Sequence, residues 1–137
     1  MYSHLMADSP KIIARTTVDS PGVEVKGISL AIGDWPSQGT GSEVAPLHVH
    51  HEDDEAWHVI AGALRFRFED SVVIVEAGST VLVPAGIAHT FGNAGPEPSR
   101  FIIIAPTRID ELIGQLHASD VADHPEIYRR HASELLE

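Results

Sequence analysis

Apolar and polar positions alternate in short runs along most of this chain, and that alternation predicts strands rather than helices. Residues 11–18 and 23–32 are β-rich and partly alternating. A turn-rich stretch at 33–42, which holds Trp35 and Pro36, reads as a loop. From 44 to 106 one strand follows another: 55–61 and 64–68 flank Gly62, 72–76 and 80–83 flank Gly78, and 101–105 ends the series at Pro106. Strands at intervals of about ten residues, with Gly and Pro between them, predict an all-β sandwich or barrel.

The period changes after Pro106. Thr107 and Asp110 have the spacing of a capping box. Ile109, Leu112, Ile113 and Leu116 then recur at helical intervals. A second helix is predicted to start near Pro125, with an amphipathic face of Ile127, Tyr128, His131, Leu135 and Leu136. Helices of this kind cap the end or underside of a barrel. The 137 residues read as one domain, with a barrel core over about 11–106 and a helical tail over 107–137.

Composition narrows the chemistry. Cysteine is absent, which removes disulfides, thiolate metal sites and a cysteine nucleophile, so any metal must be held by nitrogen and oxygen. The formal charge of −11, with no basic stripe, argues against nucleic acid or an anionic membrane as partner. No apolar run approaches the ~20 residues of a membrane span. Neither a GxxxxGK[ST] loop nor a GxGxxG fingerprint supports nucleotide binding, and no GxSxG elbow supports a serine nucleophile. The first residues lack the basic and apolar regions of a secretory signal, so a cytoplasmic location is expected.

Three histidines and one glutamate carry the candidate site. Residues two apart in a strand point to the same face, so His48 and His50 project together with Cα atoms roughly 6.6 Å apart. Two imidazoles so placed can lean onto one ion. Glu55 has the wrong parity for an unbroken strand, but His51-Glu52-Asp53-Asp54 is polar and turn-like, which lets Glu55 return on a neighbouring strand facing the same interior. Trp57 and Val59 share its parity, as does Ala61, and form an apolar set suited to a pocket wall. His89 follows the turn Pro84-Ala85-Gly86, and Phe91 shares its parity. Alternation points His51 away from His48 and His50, and His58 is out of phase with Glu55. Glu52, Asp53 and Asp54 read as a solvated turn. Arg65 and Arg67 read as the wet face of a strand; turned inward, they would bind a substrate carboxylate. Trp35 is either a lid or a packing residue of its loop.

These residues carry a resemblance. Residues 41–93, about two-fifths of the chain, resemble the two signature motifs of the cupin superfamily, as found in its small single-domain cupin-2, quercetinase-like members. The first motif runs G-x5-H-x-H-x(3,4)-E-x6-G, and His48, His50, Glu55 and Gly62 stand at that spacing. Its leading glycine departs: Gly41 sits one residue early and Ser42 holds its place. The second motif, G-x5-P-x-G-x2-H-x3-N, is matched by Gly78, Pro84, Gly86, His89 and Asn93.

The resemblance implies a jelly-roll β-barrel (a double-stranded β-helix) with short C-terminal helices, and a homodimer built through the N-terminal strands. It implies that His48, His50, Glu55 and His89 hold one divalent transition metal ion: Fe, Mn, Ni, Cu or Zn. Three neutral nitrogens and a carboxylate suit all five. The activity implied is that of a metal-dependent oxidoreductase, a dioxygenase acting on a small organic molecule, aromatic or enolisable, with Glu55 as general base and Trp57, Val59 and Phe91 as pocket walls. Two other classes fit the same residues. One is a non-redox isomerase, cyclase or lyase, in which the ion polarises a carbonyl. The other is a sensor or storage protein that binds a small molecule without turnover.

Overall fold

The computed structural model describes residues 23–25, 27–35 and 42–137. The predicted strand at 11–18 and the leading Gly41 of the first motif lie outside them. Ten strands are described: β1 (Val23–Val25), β2 (Ile28–Trp35), β3 (His48–His50), β4 (Glu55–Ala61), β5 (Ala63–Phe68), β6 (Val72–Glu76), β7 (Thr80–Val83), β8 (His89–Asn93), β9 (Ser99–Pro106) and β10 (Ser133–Leu135). They form two five-stranded antiparallel sheets, in the orders β1-β2-β9-β4-β7 and β10-β3-β8-β5-β6. Two such sheets with their apolar faces turned together make the predicted all-β jelly roll.

The core lies between the sheets because alternation sends every second residue inward. On the first sheet Trp57 registers with Ile103, and Val59 with Phe101. On the second, Phe66 registers with Phe91, and Phe68 with His89. Trp57, Val59, Leu64, Phe66, Val75, Val83, Phe91 and Phe101 pack into one cluster. Its aromatic rings interlock: Phe66 stacks on Phe91 at 5.3 Å, and Trp57 meets Phe66 edge-on at 5.0 Å. The outer face of the first sheet is also aliphatic, with Leu30, Ile104, Ala56 and Leu82 in one row and Ile32 beside Ile102 in the next.

Four expectations change on folding. Trp35 is not in a loop: β2 continues through it, because Gly33, Asp34 and Trp35 pair with Phe101, Arg100 and Ser99. Its ring packs 5.9 Å from Phe91, as a packing residue would. Ala61 leaves the inward set, since a bulge between Val59 and Ala61 shifts the register and turns it to solvent. The helix α1 (Thr107–His117) starts one residue earlier than a capping box requires: its N-cap is Pro106, which makes no side-chain cap. The second helix, α2 (His124–Arg130), is shorter than the amphipathic pattern suggested. Leu135 lies instead in β10, which pairs with β3 (Ser133 with His50, Leu135 with His48). The helices do cover the barrel, through Leu112, Ile127 and Tyr128, with Leu116 and Leu135 packed against them. No described helix is long and apolar enough to cross a membrane.

Candidate metal centre

Two turns deliver the candidate ligands to one point. His48 and His50 stand on β3, Glu55 opens β4 and His89 opens β8. β3 and β8 are neighbours, with His48 directly opposite His89. The two turns are stitched together: the Gly86 N–H donates to the His50 carbonyl at 2.8 Å, and the Ala85 N–H donates to Asp54 Oδ1 at 2.8 Å. Asp53, two residues before Glu55, is buried and receives a two-pronged bond from Arg108 on α1, at 2.8 and 3.0 Å. Glu52 and Asp54 are exposed, as a solvated turn requires, but Asp53 is buried. Asp53 and Asp54 anchor the acidic turn to α1 and to the loop that precedes His89.

His48, His50, Glu55 and His89 are all buried, and their potential ligand atoms lie within 4.8 Å of one another. Two atoms each ~2.1 Å from a common ion are at most ~4.2 Å apart, so small side-chain adjustments close this set on one cation. The three imidazole rings are mutually tilted, with centroids 4.6 to 5.3 Å apart. Glu55 Oε1 sits 2.7 Å from His50 Nε2 and 3.1 Å from His89 Nε2.

The hydrogen bonds on the far side of each ring decide what these groups offer. His48 Nδ1 donates to the Pro46 carbonyl at 2.9 Å, and His89 Nδ1 donates to the Ile87 carbonyl at 2.8 Å. A carbonyl only accepts, so both rings carry their proton on Nδ1 and, when neutral, turn the Nε2 lone pair inward. A carboxylate oxygen is likewise an acceptor. Acceptors facing acceptors at about 3 Å in a dry interior repel unless a cation or a proton lies between them. The donor set thus fits a divalent metal ion.

Electrostatics agree. Burial, reinforced by the neighbouring His89 and His50, holds His48 down at about 4, so it is the neutral form a metal needs. Burial opposes the charge on Glu55, and His50 and His89 hold its carboxyl down at about 2, a pull that these rings exert only when a proton or a cation stands between Nε2 and the carboxylate. Tyr128 on α2, unremarked as a site residue in the sequence, packs its ring 5.4 Å from that of His48. Burial, and then the Glu55 charge, push its phenol up to about 12, so it stays protonated across the usual pH range.

The remaining candidates divide cleanly. Trp57 stands 5.8 Å from the His89 ring and 5.4 Å from Phe91, while Val59 lies fully buried in the core. The indole N–H of Trp57 is buried with no hydrogen-bond partner among the described residues. His51 is exposed beside Glu134 at 3.5 Å, and His58 faces outward, bonded to Thr80 Oγ1 at 2.8 Å. Arg67 forks onto Glu43 and Glu137, and Arg65 approaches Glu43 at 3.9 Å. An open groove runs between Phe68, the turn 69–71 and the loop 86–88 that leads into His89.

Fold and centre together define a class, and the comparisons agree with it. Residues 39–105 match the cupin domain family model (Cupin_2), and the chain carries a cupin domain of this cupin-2 type. A cupin-2 domain containing protein from Shewanella frigidimarina is 24% identical, with 61% of this chain and 74% of that chain covered and a TM-score of 0.52. A cupin protein from Bacteroides fragilis is 17% identical over 72% of this chain and 82% of its own, with a TM-score of 0.56. A putative sugar phosphate isomerase from Acidithiobacillus ferrooxidans is 23% identical over 58% of this chain, with a TM-score of 0.51; this chain spans half of its length. These likenesses establish the fold. No curated protein matches the sequence.

Proposed function

We propose that the protein is a metal-dependent enzyme of the dioxygenase type, in which His48, His50, Glu55 and His89 hold one divalent transition metal ion. The observation that carries this reading is the buried set of inward-facing acceptors, which only a cation or a proton satisfies. When bound, such an ion supplies Lewis acidity and, if it is Fe, Mn, Ni or Cu, redox chemistry.

The chain's own residues do the rest. The backbone carbonyls of Pro46 and Ile87 hold two imidazoles in the ligating tautomer. Glu55 is the one anionic group of the cluster and the group able to accept a substrate proton. Trp57 and Phe91, with Val59 behind them, exclude water and form an apolar wall, and the unpaired indole N–H suits a ligand oxygen. Among the described residues, Arg65, Arg67, Arg100, Arg108 and Arg129 approach carboxylates, and Arg130 is exposed on α2. A phosphate-anchoring arginine is thus not seen in the described interior, which favours a small, weakly charged, aromatic or enolisable substrate over a sugar phosphate. The aliphatic outer face of the first sheet supports a homodimer; a monomeric mass in solution would refute that part.

Elemental analysis of the purified protein, followed by oxygen uptake with flavonols, catechols and small diketones, tests the proposal. Bound Fe, Mn, Ni or Cu with oxygen consumption is the expected result. Zinc with turnover but no oxygen consumption would replace it with the isomerase or lyase reading, and ligand binding without turnover would replace it with a sensor.

A further inference from the structure

We infer that the C-terminal strand β10 is part of the metal centre, with Ser133 as the positioning residue that fixes the tautomer and aim of His50. This rests on the metal-binding reading above. Ser133 lies directly opposite His50 in the β10–β3 pair, and both are buried, at 3% and 4% exposure. Ser133 Oγ stands 2.7 Å from His50 Nδ1 and donates its single proton to the His131 carbonyl at 2.9 Å. A hydroxyl that has given its proton to a carbonyl can only accept from the ring. His50 then carries its proton on Nδ1, and its Nε2 lone pair faces the cluster.

The three imidazoles differ in who orients them. His48 and His89 use carbonyls two residues earlier in the chain, just before their strands begin, so their orientation is local. His50 uses a side chain 83 residues away. Its geometry therefore depends on docking of the C-terminus, and that docking has its own anchors outside the cluster. The His51 N–H donates to the Ala132 carbonyl at 2.8 Å, and the Leu136 N–H donates to the Leu47 carbonyl at 2.8 Å. The Glu137 carboxylate accepts from the Leu47 N–H at 2.9 Å and from Arg67 at 2.9 and 3.0 Å. Partners of this kind hold a ligating ring in one orientation and raise its basicity.

The test uses full-length protein and zinc. Ser133→Thr keeps the hydroxyl and Ser133→Val replaces it with a methyl of the same shape, so their difference isolates the hydrogen bond. Zinc affinity by chelator competition should fall about 10–100-fold in the valine and Ser133→Ala variants. The threonine variant should bind as the wild type does. In zinc-loaded wild type, the nitrogen-15 ring correlation of His50 should show a slowly exchanging proton on Nδ1; in the valine variant it should broaden, while those of His48 and His89 persist. Equal zinc affinity in the threonine and valine variants, or an unprotonated Nδ1 in the zinc-loaded wild type, would overturn the role of Ser133. A wild type that takes no more zinc than His89→Ala would overturn the metal reading itself.

Discussion

Glu55→Gln separates the two roles open to the buried carboxylate. Glu55 Oε1 faces His50 Nε2 at 2.7 Å and His89 Nε2 at 3.1 Å, and all three residues are at most 5% exposed. In a metal centre, these groups deprived of a cation are acceptors facing acceptors. A glutamine amide can donate to an imidazole lone pair at the same place, forming a neutral bond of about 1 kcal/mol and removing a buried charge. Metal-free Glu55→Gln should therefore melt within roughly 3–4 °C of the wild type, a domain of this size moving about that much per kcal/mol. Metal affinity should fall by at least about 100-fold, beyond the losses typical of outer hydrogen-bond partners. With metal at 100 times the wild-type Kd, the wild type gains about 2.7 kcal/mol and the variant about 0.4 kcal/mol. Thermal denaturation with chelator and then with metal reads all three quantities. A structural ion pair predicts the reverse. Breaking it costs about 3–5 kcal/mol, so the metal-free variant would melt roughly 10–20 °C lower. The wild type would then gain nothing from metal, and the proposed centre would be wrong.

Three further outcomes are expected. Phe66→Ala opens a cavity beneath Trp57 and Phe91 at a position with no exposed surface, and should cost about 3–5 kcal/mol in urea denaturation; a cost under about 1 kcal/mol would mean the core is not packed as described. Arg108→Ala leaves Asp53, at 7% exposure, without its forked partner, and should cost about 1–3 kcal/mol. Its metal affinity should fall as well, since Asp53 lies two residues from Glu55; unchanged affinity would show that β4 pairing alone holds the turn. The carboxyl of Glu137 is held at about 2 by Arg67 and the Leu47 N–H, below its ordinary 4.5. A folded-state value below the unfolded one contributes stability above pH 4.5 that is lost as pH falls through about 2. The stability gap between wild type and Glu137→Gln should therefore be widest above pH 4.5 and close near pH 2; a gap independent of pH would refute the pairing.

Much of the barrel was legible in the alternation. The bounds of β6 and β7 follow from runs of β-branched residues on either side of Gly78, and those of β4 from inward-outward alternation between the acidic turn and Gly62. The gathering of His48, His50, Glu55 and His89 was legible too, since parity and turn placement are local properties. Where reading failed, a distant partner had overridden local preference. Glycine and aspartate at 33 and 34 look like a turn, yet cross-strand bonds to Phe101 and Arg100 extend β2, and a Cβ at Gly33 would stand 2.4 Å from the Phe101 ring. Leu135 fits a helical face but is drawn into β10 by pairing with His48.

The chain by itself thus determined an all-β fold through alternation, and it pointed to the four side chains of the candidate centre through the spacings within two motifs and their resemblance to cupins. The tertiary structure decided what those side chains are to one another. It joined Asp53 to Arg108 and Asp54 to Ala85, and set Ser133 behind His50. Those contacts span up to 83 residues. No local pattern encodes them, because hydrogen-bond direction in a buried cluster depends on which backbone and side-chain groups the finished fold brings within 3 Å.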